Sequence, residues 1–377
     1  MKPRLRLLGL LLPAIARLAI VGFLLAVGLA ACATHVPVPG CSDPGSIGNG
    51  WNLSFAAGCH DQNGVFAGGS QVLHLVAHKG RLYAATGYWE DAHNIWYGGT
   101  DPNAGWGQVL SLSGPNQRWI VDFNLGRQYL RTELLKSVTF TRDTSGRLLP
   151  EPENILLAAT YDGPERGGVD VFVRDRTGKW TGTALIRGRT GKLGEDNSVR
   201  AATVYRDRVT GSEKIFISVG VLGLCTGTFD PSAPGKIVWG SQRDSPSVLG
   251  AGTRILAIVE ANDSLSYSEG TRIYRRIDGE KPRYQLVLDM TAQADIRVGR
   301  AIFQSIGGIR GLSAIDGPVP GRKSLIFLLG EWRTITSLYP QARPETGRFM
   351  VRQSGVLPSP VSQQIYRRAG FLRHRSI

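Results

Sequence analysis

Leu156-Leu157-Ala158-Ala159-Thr160-Tyr161-Asp162-Gly163 is a short apolar run that ends in a glycine, and similar runs recur along the chain. A run of this length and composition is typical of a β-strand that is buried on both faces. The five copies end at Gly87, Gly163, Gly220, Gly270 and Gly330. Four of them follow another apolar strand and a short turn, which predicts a series of β-hairpins.

Three copies continue with two further strands, the second of which carries an aromatic side chain (Trp119, Trp180 or Tyr284). Each unit then has four strands, and repeated four-stranded antiparallel units are typical of propeller blades. Residues 70–330 therefore resemble β-propeller proteins, and the glycine pairs Gly68-Gly69 and Gly307-Gly308 make the resemblance loosely kelch-like. The resemblance implies an all-β fold of five to seven four-stranded antiparallel blades, the last one incomplete.

The same strand density fits a pair of β-sandwiches or a β-solenoid, which is the alternative architecture. The best helical stretch is 128–135, and 48 glycines and 20 prolines disfavour long helices. After Gly330 the sequence offers no recognisable third and fourth strand. Either residues 51–66 close the ring or the chain is a truncated relative of a longer propeller, and we favour truncation.

A basic N-terminus and the apolar run 18–29 precede Leu29-Ala30-Ala31-Cys32. This order of features resembles the lipobox of bacterial lipoprotein precursors, which implies cleavage before Cys32 and acylation of its thiol. An ordinary cleaved signal or a membrane anchor is the alternative, but the run is short for a span of roughly 20 residues. Ala33 follows the cysteine, and by this resemblance an outer-membrane anchor facing the periplasm is favoured in a Gram-negative cell.

These features divide the chain into a signal peptide (1–31), an N-terminal linker (32–66), a propeller domain (67–330) and a basic irregular tail (331–377). Cys41 and Cys59 bracket a Gly/Ser/Asn-rich part of the linker, so in an oxidising compartment we expect a disulfide between them. Cys225 has no evident partner and is expected to act as a small buried apolar residue.

Charge narrows the choice of partners. The formal net charge of the 377-residue chain is +14, and it falls to +10 when the basic residues of the signal peptide are removed. An exported basic protein meets anionic lipid headgroups and acidic glycans, so no nucleic-acid partner is expected. The part from Trp332 onward holds eight Arg and the single acid Glu345, and the alternative interpretation is a solvated tail without a partner.

Catalytic signatures are absent from the sequence. There is no Gly-x-Ser-x-Gly elbow, no His-Glu-x-x-His helix and no phosphate-binding loop. The six histidines are scattered, and only His74 and His78 have helical spacing, within a predicted strand and turn. We therefore expect no metal and no cofactor, and an enzyme is the less favoured class.

One set of residues recurs in the same place in the repeats. A cation lies just before the first strand of four units: Lys136, Arg200, Arg254 and Arg310. In a propeller the first strand of each blade lines the central channel, so these cations are expected to meet at one channel mouth and attract anions. The alternative is that they are solvated charges beside the strands.

The sequence thus predicts a lipid-anchored envelope propeller that binds an anionic glycan, a phospholipid or a protein partner. Two alternatives remain open. One is a polysaccharide lyase or glycosidase whose residues come from separate blades, where motif searches fail. The other is a truncated remnant without activity.

Overall fold

Strands are the long elements of the computed structural model. It describes residues 46–48, 51–52, 54–55, 57–69, 71–87, 107–114, 117–126, 129, 131–161, 169–186, 198–245, 254–291, 308–330 and 373–376. Helical structure in these ranges consists of the short 3-10 segments Gly220–Leu222 and Pro234–Lys236. No helix within them is long and apolar enough to cross a bilayer.

The strands are grouped into consecutive antiparallel sheets. Two small N-terminal sheets contain β1 (Ser46–Gly48) with β2 (Trp51–Asn52), and β3 (Cys59–His60) with β4 (Phe66–Ala67). Blade 1 contains β5 (Gln71–His78), β6 (Arg81–Gly87), β7 (Gln108–Leu112) and β8 (Ile120–Asn124). Blade 2 contains β9 (Thr132–Arg142), β10 (Leu148–Thr160), β11 (Val169–Arg174) and β12 (Trp180–Ile186).

The later blades follow the same order. Blade 3 contains β13 (Val199–Arg206), β14 (Glu213–Val219), β15 (Gly223–Phe229) and β16 (Ile237–Ser245). Blade 4 contains β17 (Ile255–Ala261), β18 (Ser264–Glu269), β19 (Arg272–Ile277) and β20 (Arg283–Asp289). Blade 5 has three described strands, β21 (Gly308–Asp316), β22 (Lys323–Gly330) and β23 (Arg373–Ser376).

The first strands of successive blades contact one another, β5 with β9, β9 with β13, β13 with β17 and β17 with β21. The fourth strands of blades 1 to 4 form the far edge of each sheet. Blades that meet through their first strands are arranged around a common centre. The prediction of an all-β propeller with four-stranded antiparallel blades is confirmed. The expected incompleteness of the last blade involves residues outside the described ranges and stays a prediction.

The apolar run of blade 2 is continuous because this blade has a neighbour on both faces. In segment 156–159 the even-numbered residues pack with Tyr83 of blade 1, and the odd-numbered residues pack with Ile217 of blade 3. Successive side chains of a strand point to opposite faces, so a strand between two blades needs apolar residues at every position. Similar layers lie between blades 3 and 4 and between blades 4 and 5.

An aromatic residue near the start of each outer strand, or just before it, donates a hydrogen bond to the preceding part of the chain. The bonds run from Trp119 Nε1 to Ser54 Oγ (2.8 Å), from Trp180 Nε1 to Asp122 Oδ2 (2.7 Å), from Trp239 Nε1 to Thr183 Oγ1 (3.2 Å) and from the Tyr284 hydroxyl to Asp244. In the last three bonds the acceptor belongs to the outer strand of the previous blade. Ser54 therefore takes the same place beside blade 1 that an outer strand takes beside the later blades.

The N-terminal segment also covers one face of blade 1. Phe55, Cys59 and Ala67 pack with Leu110 and Trp119 in one apolar cluster. Asp61 accepts a hydrogen bond from the backbone N–H of Val121 in β8 at 2.9 Å. These contacts give residues 54–67, most of which the sequence assigns to a linker, an ordered role in the propeller.

Two other local expectations differ from the structure. Residues 132–135 of the predicted helical stretch begin strand β9, because Leu134 and Leu135 pack toward blade 3 and blade 1 respectively. Tertiary packing here outweighs local helix propensity. The C-terminal tail, expected to be irregular, contributes Arg373–Ser376 as a strand that pairs with β22.

Buried charge joins blades 3 and 4. The Arg276 guanidinium, 3% exposed, donates to Asp207 Oδ2 at 2.6 Å and to Asp244 Oδ2 at 3.1 Å, and it also pairs with Asp278. Asp278 in turn accepts the hydroxyl proton of Tyr205 at 2.6 Å. Three carboxylates from two blades therefore depend on a single buried cation.

Replacement of Arg276 by Met should reduce the free energy of unfolding by about 3–5 kcal/mol, because it leaves buried carboxylates without a counter-charge. Urea-induced unfolding measures this loss. The control is Arg208→Met, whose 46% exposed side chain pairs with Glu260 at the surface and should cost less than about 1 kcal/mol. Equal small losses in both variants would show that the Arg276 cluster does not stabilise the interface.

Candidate functional site

The propeller has two different faces. The first strand of each blade begins on one face, which we call the loop face, and the turns that join first to second and third to fourth strands lie on the other, the turn face. Because the strands alternate in direction, the segments 88–106, 162–168, 187–197, 246–253 and 292–307 all join strand ends on the loop face. Long connections at one face of a rigid scaffold are where binding residues concentrate.

Arginines from four blades approach one another at the loop face. They are Arg131 and Arg200 at the starts of β9 and β13, Arg254 immediately before β17, and Arg310 near the start of β21. Glu133 is the carboxylate that they share. Its Oε1 atom lies 2.9 Å from Arg200 Nη1, its Oε2 atom pairs with Arg131, and its charge acts on both Arg254 and Arg310. We call these five residues the central cluster.

The central cluster is strongly desolvated. Burial lowers the pKa of Arg131, Arg254 and Arg310, neighbouring arginines lower it further, and Glu133 opposes both effects. The side chains of Arg131 and Glu133 are 5% and 6% exposed, while that of Arg200 is 17% exposed. Crowded, partly buried guanidinium groups around one carboxylate produce a positive potential that favours anions.

Tyr161 lies beside the arginines of the central cluster. The Cζ atom of Arg131 lies 4.7 Å from the centroid of its ring, which is a cation–π contact. Burial raises the pKa of the Tyr161 hydroxyl, although Arg131 and Arg254 lower it. The hydroxyl therefore stays protonated near neutral pH and can donate a hydrogen bond beside the arginines.

Three of the four cations that the sequence selects, Arg200, Arg254 and Arg310, belong to the central cluster. Lys136 lies elsewhere: its side chain is exposed and it pairs with Leu157, about 10 Å along β9 from the Thr132–Thr160 pair that marks the loop face. Glu133 instead lies at the start of β9 beside Arg200. Gln71, the equivalent in the first repeat, begins β5 and pairs with Gly87.

Sequence comparison of the repeats missed Arg131, Glu133 and Tyr161. It aligned the apolar residues that follow Lys136 with those that follow Arg200. Pairing with the end of the second strand is the better guide, since the N–H of Tyr161 bonds to the carbonyl of Arg131 as that of Gly220 bonds to Ser198. This pairing makes Arg131 the equivalent of Ser198, and therefore Glu133, not Lys136, the equivalent of Arg200.

The two histidines near the cluster have structural partners. His74 Nε2 lies 2.8 Å from the carbonyl oxygen of Glu133, so a proton on that nitrogen holds the start of β9 in place. His78 Nδ1 lies 3.0 Å from Ser137 Oγ near the turn face. No group of side chains that could hold a metal ion occurs in the described ranges.

The cysteines are only partly described. Cys59 is buried and disulfide-bonded, but its partner lies outside the described residues, so the pairing with Cys41 stays a prediction. Cys225 is a free, buried thiol within the layer between blades 2 and 3, and burial raises its pKa. Cys32 also lies outside the described residues.

Replacement of Glu133 by Gln should lower the free energy of unfolding by about 3–5 kcal/mol, because the arginines of the cluster lose the carboxylate they share. Sulfate at constant ionic strength should restore part of this loss, since an anion can take the place of the carboxylate. Urea titrations with and without sulfate test both effects. Glu151→Gln, at an exposed position of β10, is the control, and identical behaviour of the two variants would contradict the role assigned to Glu133.

No family model and no curated protein sequence matches this chain. Solved structures give distant matches. One is a GH43 β-1,3-galactosidase with galactodeoxynojirimycin (11% identity, 73% of this chain, 89% of that chain, TM-score 0.35). A second is a GH43 β-xylosidase/α-arabinofuranosidase from a compost metagenome (11% identity, 81% of this chain, 93% of that chain, TM-score 0.33). A third is a Trypanosoma rangeli sialidase mutant (9% identity, 72% of this chain, 46% of that chain, TM-score 0.34). Likeness at this level carries no argument about activity.

Proposed function

We propose that this protein is a lipid-anchored envelope propeller that binds an anionic ligand at its central cluster. The single observation that carries the proposal is the pairing of Arg131 and Arg200, from blades 2 and 3, with one carboxylate, Glu133, whose charge also acts on Arg254 and Arg310 of blades 4 and 5. No individual blade could form such a site. It depends on the radial arrangement that brings the starts of the first strands together.

Energetics support a ligand with a negative charge. Burying a cation is costly unless an opposite charge lies close by. Burial lowers the pKa of Arg131, Arg254 and Arg310 in the central cluster, so an anion bound beside them would be stabilised by nearby desolvated cations. A bound carboxylate, sulfate or phosphate group would reduce the repulsion, and guanidinium groups bind such anions through paired N–H donors.

The expected location of the protein at the cell envelope indicates which anions it can meet. Cleavage and acylation at Cys32 would hold the propeller on the envelope, where acidic polysaccharides and anionic phospholipids are abundant. Acidic polysaccharide is our first choice, because its repeated carboxylate groups match the guanidinium groups of the central cluster. A protein partner with an exposed acidic residue is the alternative ligand.

We favour binding over catalysis because Glu133 is already held by two arginines. Glycoside hydrolysis commonly uses two carboxyl groups that face the scissile bond. In the described part of the cluster Glu133 is the shared carboxylate, and Arg131 and Arg200 already hold its two oxygens. Hydrolysis or elimination of a bound polysaccharide would be detected in the binding experiment below as shortened chains.

The double variant Arg254→Gln/Arg310→Gln should bind an acidic polysaccharide such as polygalacturonate at least about tenfold more weakly, which is about 1.4 kcal/mol. The reason is the loss of two cations that face the shared ligand. Affinity electrophoresis or titration calorimetry gives the ratio. The matched control Arg208→Gln/Lys214→Gln removes the same charge at a distance, and equal weakening in both proteins would argue for a nonspecific charge effect.

Replacement of Cys32 by Ser should move the protein from the membrane fraction to the soluble fraction, because the thiol is the expected site of acylation. Cell fractionation with immunodetection measures the distribution, and mass spectrometry of the wild-type N-terminus checks for acyl chains. Cys225→Ser controls for the loss of a thiol. Retention of Cys32→Ser in the membrane fraction would exclude a lipid anchor at this residue.

A further inference from the structure

The turn face contains a second group of cations, remote from the central cluster. Lys79 lies in the turn between β5 and β6 of blade 1, Arg176 in the turn between β11 and β12 of blade 2, and Lys236 at the turn between β15 and β16 of blade 3. Glu153 of β10 lies between them. We call these four residues the turn-face cluster.

Two of the cations share the same carboxylate. Arg176 Nη2 lies 2.6 Å from Glu153 Oε2, and Lys236 Nζ lies 3.1 Å from Glu153 Oε1. The Glu153 side chain is 9% exposed, whereas those of Arg176 and Lys236 are 58% and 26% exposed. The Glu153 carboxylate is therefore the most buried of these three charged groups, and the two cations are more exposed to solvent.

Lys79 adds a third positive charge without a carboxylate of its own in the described part of the chain. Burial lowers the pKa of its ammonium group, Glu153 opposes this effect, and Arg176, Lys236 and Arg174 reinforce it. Arg174 is already paired with Asp122 at 2.8 Å. Burial, together with Lys79 and Arg174, lowers the pKa of the adjacent His78 to about 4, so His78 is neutral near pH 7.

Backbone conformation gives a second, independent observation. Lys79 has φ of 46° and Lys236 has φ of 59°, both in the left-handed region that disfavours lysine. The Lys79-Gly80 turn has positive φ at both residues, a conformation that prefers Asn at the first position. The corresponding turn of blade 4 uses Asn262-Asp263, at φ of 51° and 59°. Strained residues that cluster at one place are typical of functional sites.

We propose that Lys79, Arg176 and Lys236 form a binding site for a phosphate group on the turn face. Three cations from three blades lie near Glu153, and Glu151 also acts on Arg176, so cations outnumber the acids at this partly exposed position. Mixed ammonium and guanidinium donors suit phosphate. The site is independent of the function proposed for the central cluster.

The unfavourable left-handed backbone conformation of Lys79 allows a test that separates phosphate binding from stability. Lys79→Asn should fold with a Tm equal to or above that of the wild type, because Asn suits the turn, while phosphate binding weakens. Lys79→Asn/Arg176→Gln should bind inorganic phosphate at least about fivefold more weakly, as the loss of exposed charge contacts predicts. The measurement is the phosphate-induced rise in Tm, relative to chloride at the same ionic strength, in the full chain.

Matched variants separate this site from other sources of binding. Lys281→Asn removes an exposed lysine from the turn face of blade 4 and should respond to phosphate as the wild type does. Arg254→Gln/Arg310→Gln should also keep the turn-face response. Vesicles of phosphatidate or phosphatidylcholine, offered to a Cys32→Ser chain that cannot carry lipid, distinguish a lipid headgroup from free phosphate as the ligand.

Loss of the phosphate response when Lys79→Asn/Arg176→Gln is combined with Arg254→Gln/Arg310→Gln, which weakens anion binding at the central cluster, supports the site if Lys281→Asn and Arg254→Gln/Arg310→Gln alone keep a response. Selective binding to phosphatidate vesicles that Lys79→Asn/Arg176→Gln loses would identify the headgroup as the source. The proposal is overturned if the wild type shows no phosphate response, or if Lys79→Asn/Arg176→Gln and Lys281→Asn respond equally.

Discussion

Packing of blades 2, 3 and 4, each against a neighbour on both faces, is the constraint on which the structure depends. Segment 156–159 shows it most clearly, because alternate side chains of one strand enter the apolar layers on either side of blade 2. Such a strand cannot be stable in an isolated sheet that exposes one face. The radial arrangement follows from this requirement, and it places the beginnings of the first strands close together.

The same topology places a different cluster of charged residues on each face of the propeller. On the loop face, Arg131 and Arg200 pair with Glu133, while on the turn face short turns bring cations around Glu153. The networks around Arg276 and between Arg174 and Asp122 differ from both clusters, because acids there match or outnumber the cations that they pair with. Balanced networks stabilise interfaces, whereas clusters with excess positive charge favour anionic ligands.

The architecture could be predicted from the sequence because burial on both faces leaves continuous apolar runs and regular turns. The register of individual residues could not, because comparison of apolar residues along the chain does not show that Glu133, rather than Lys136, lies beside Arg200. The role of residues 54–67 was also hidden, since their contacts with Trp119 and Val121 are made across long sequence separations. Nothing in the composition of the segment distinguishes Ser54 or Asp61 from ordinary linker residues.

Convergence of arginines from four blades on one anion site is the central claim, and a crystal structure of the protein soaked in selenate tests it most directly. We expect anomalous density for a selenate ion in contact with the guanidinium groups of at least two of Arg200, Arg254 and Arg310, beside Glu133. Selenate absent from this position, with the three arginines directed away from one another toward carboxylates of their own blades, would contradict it.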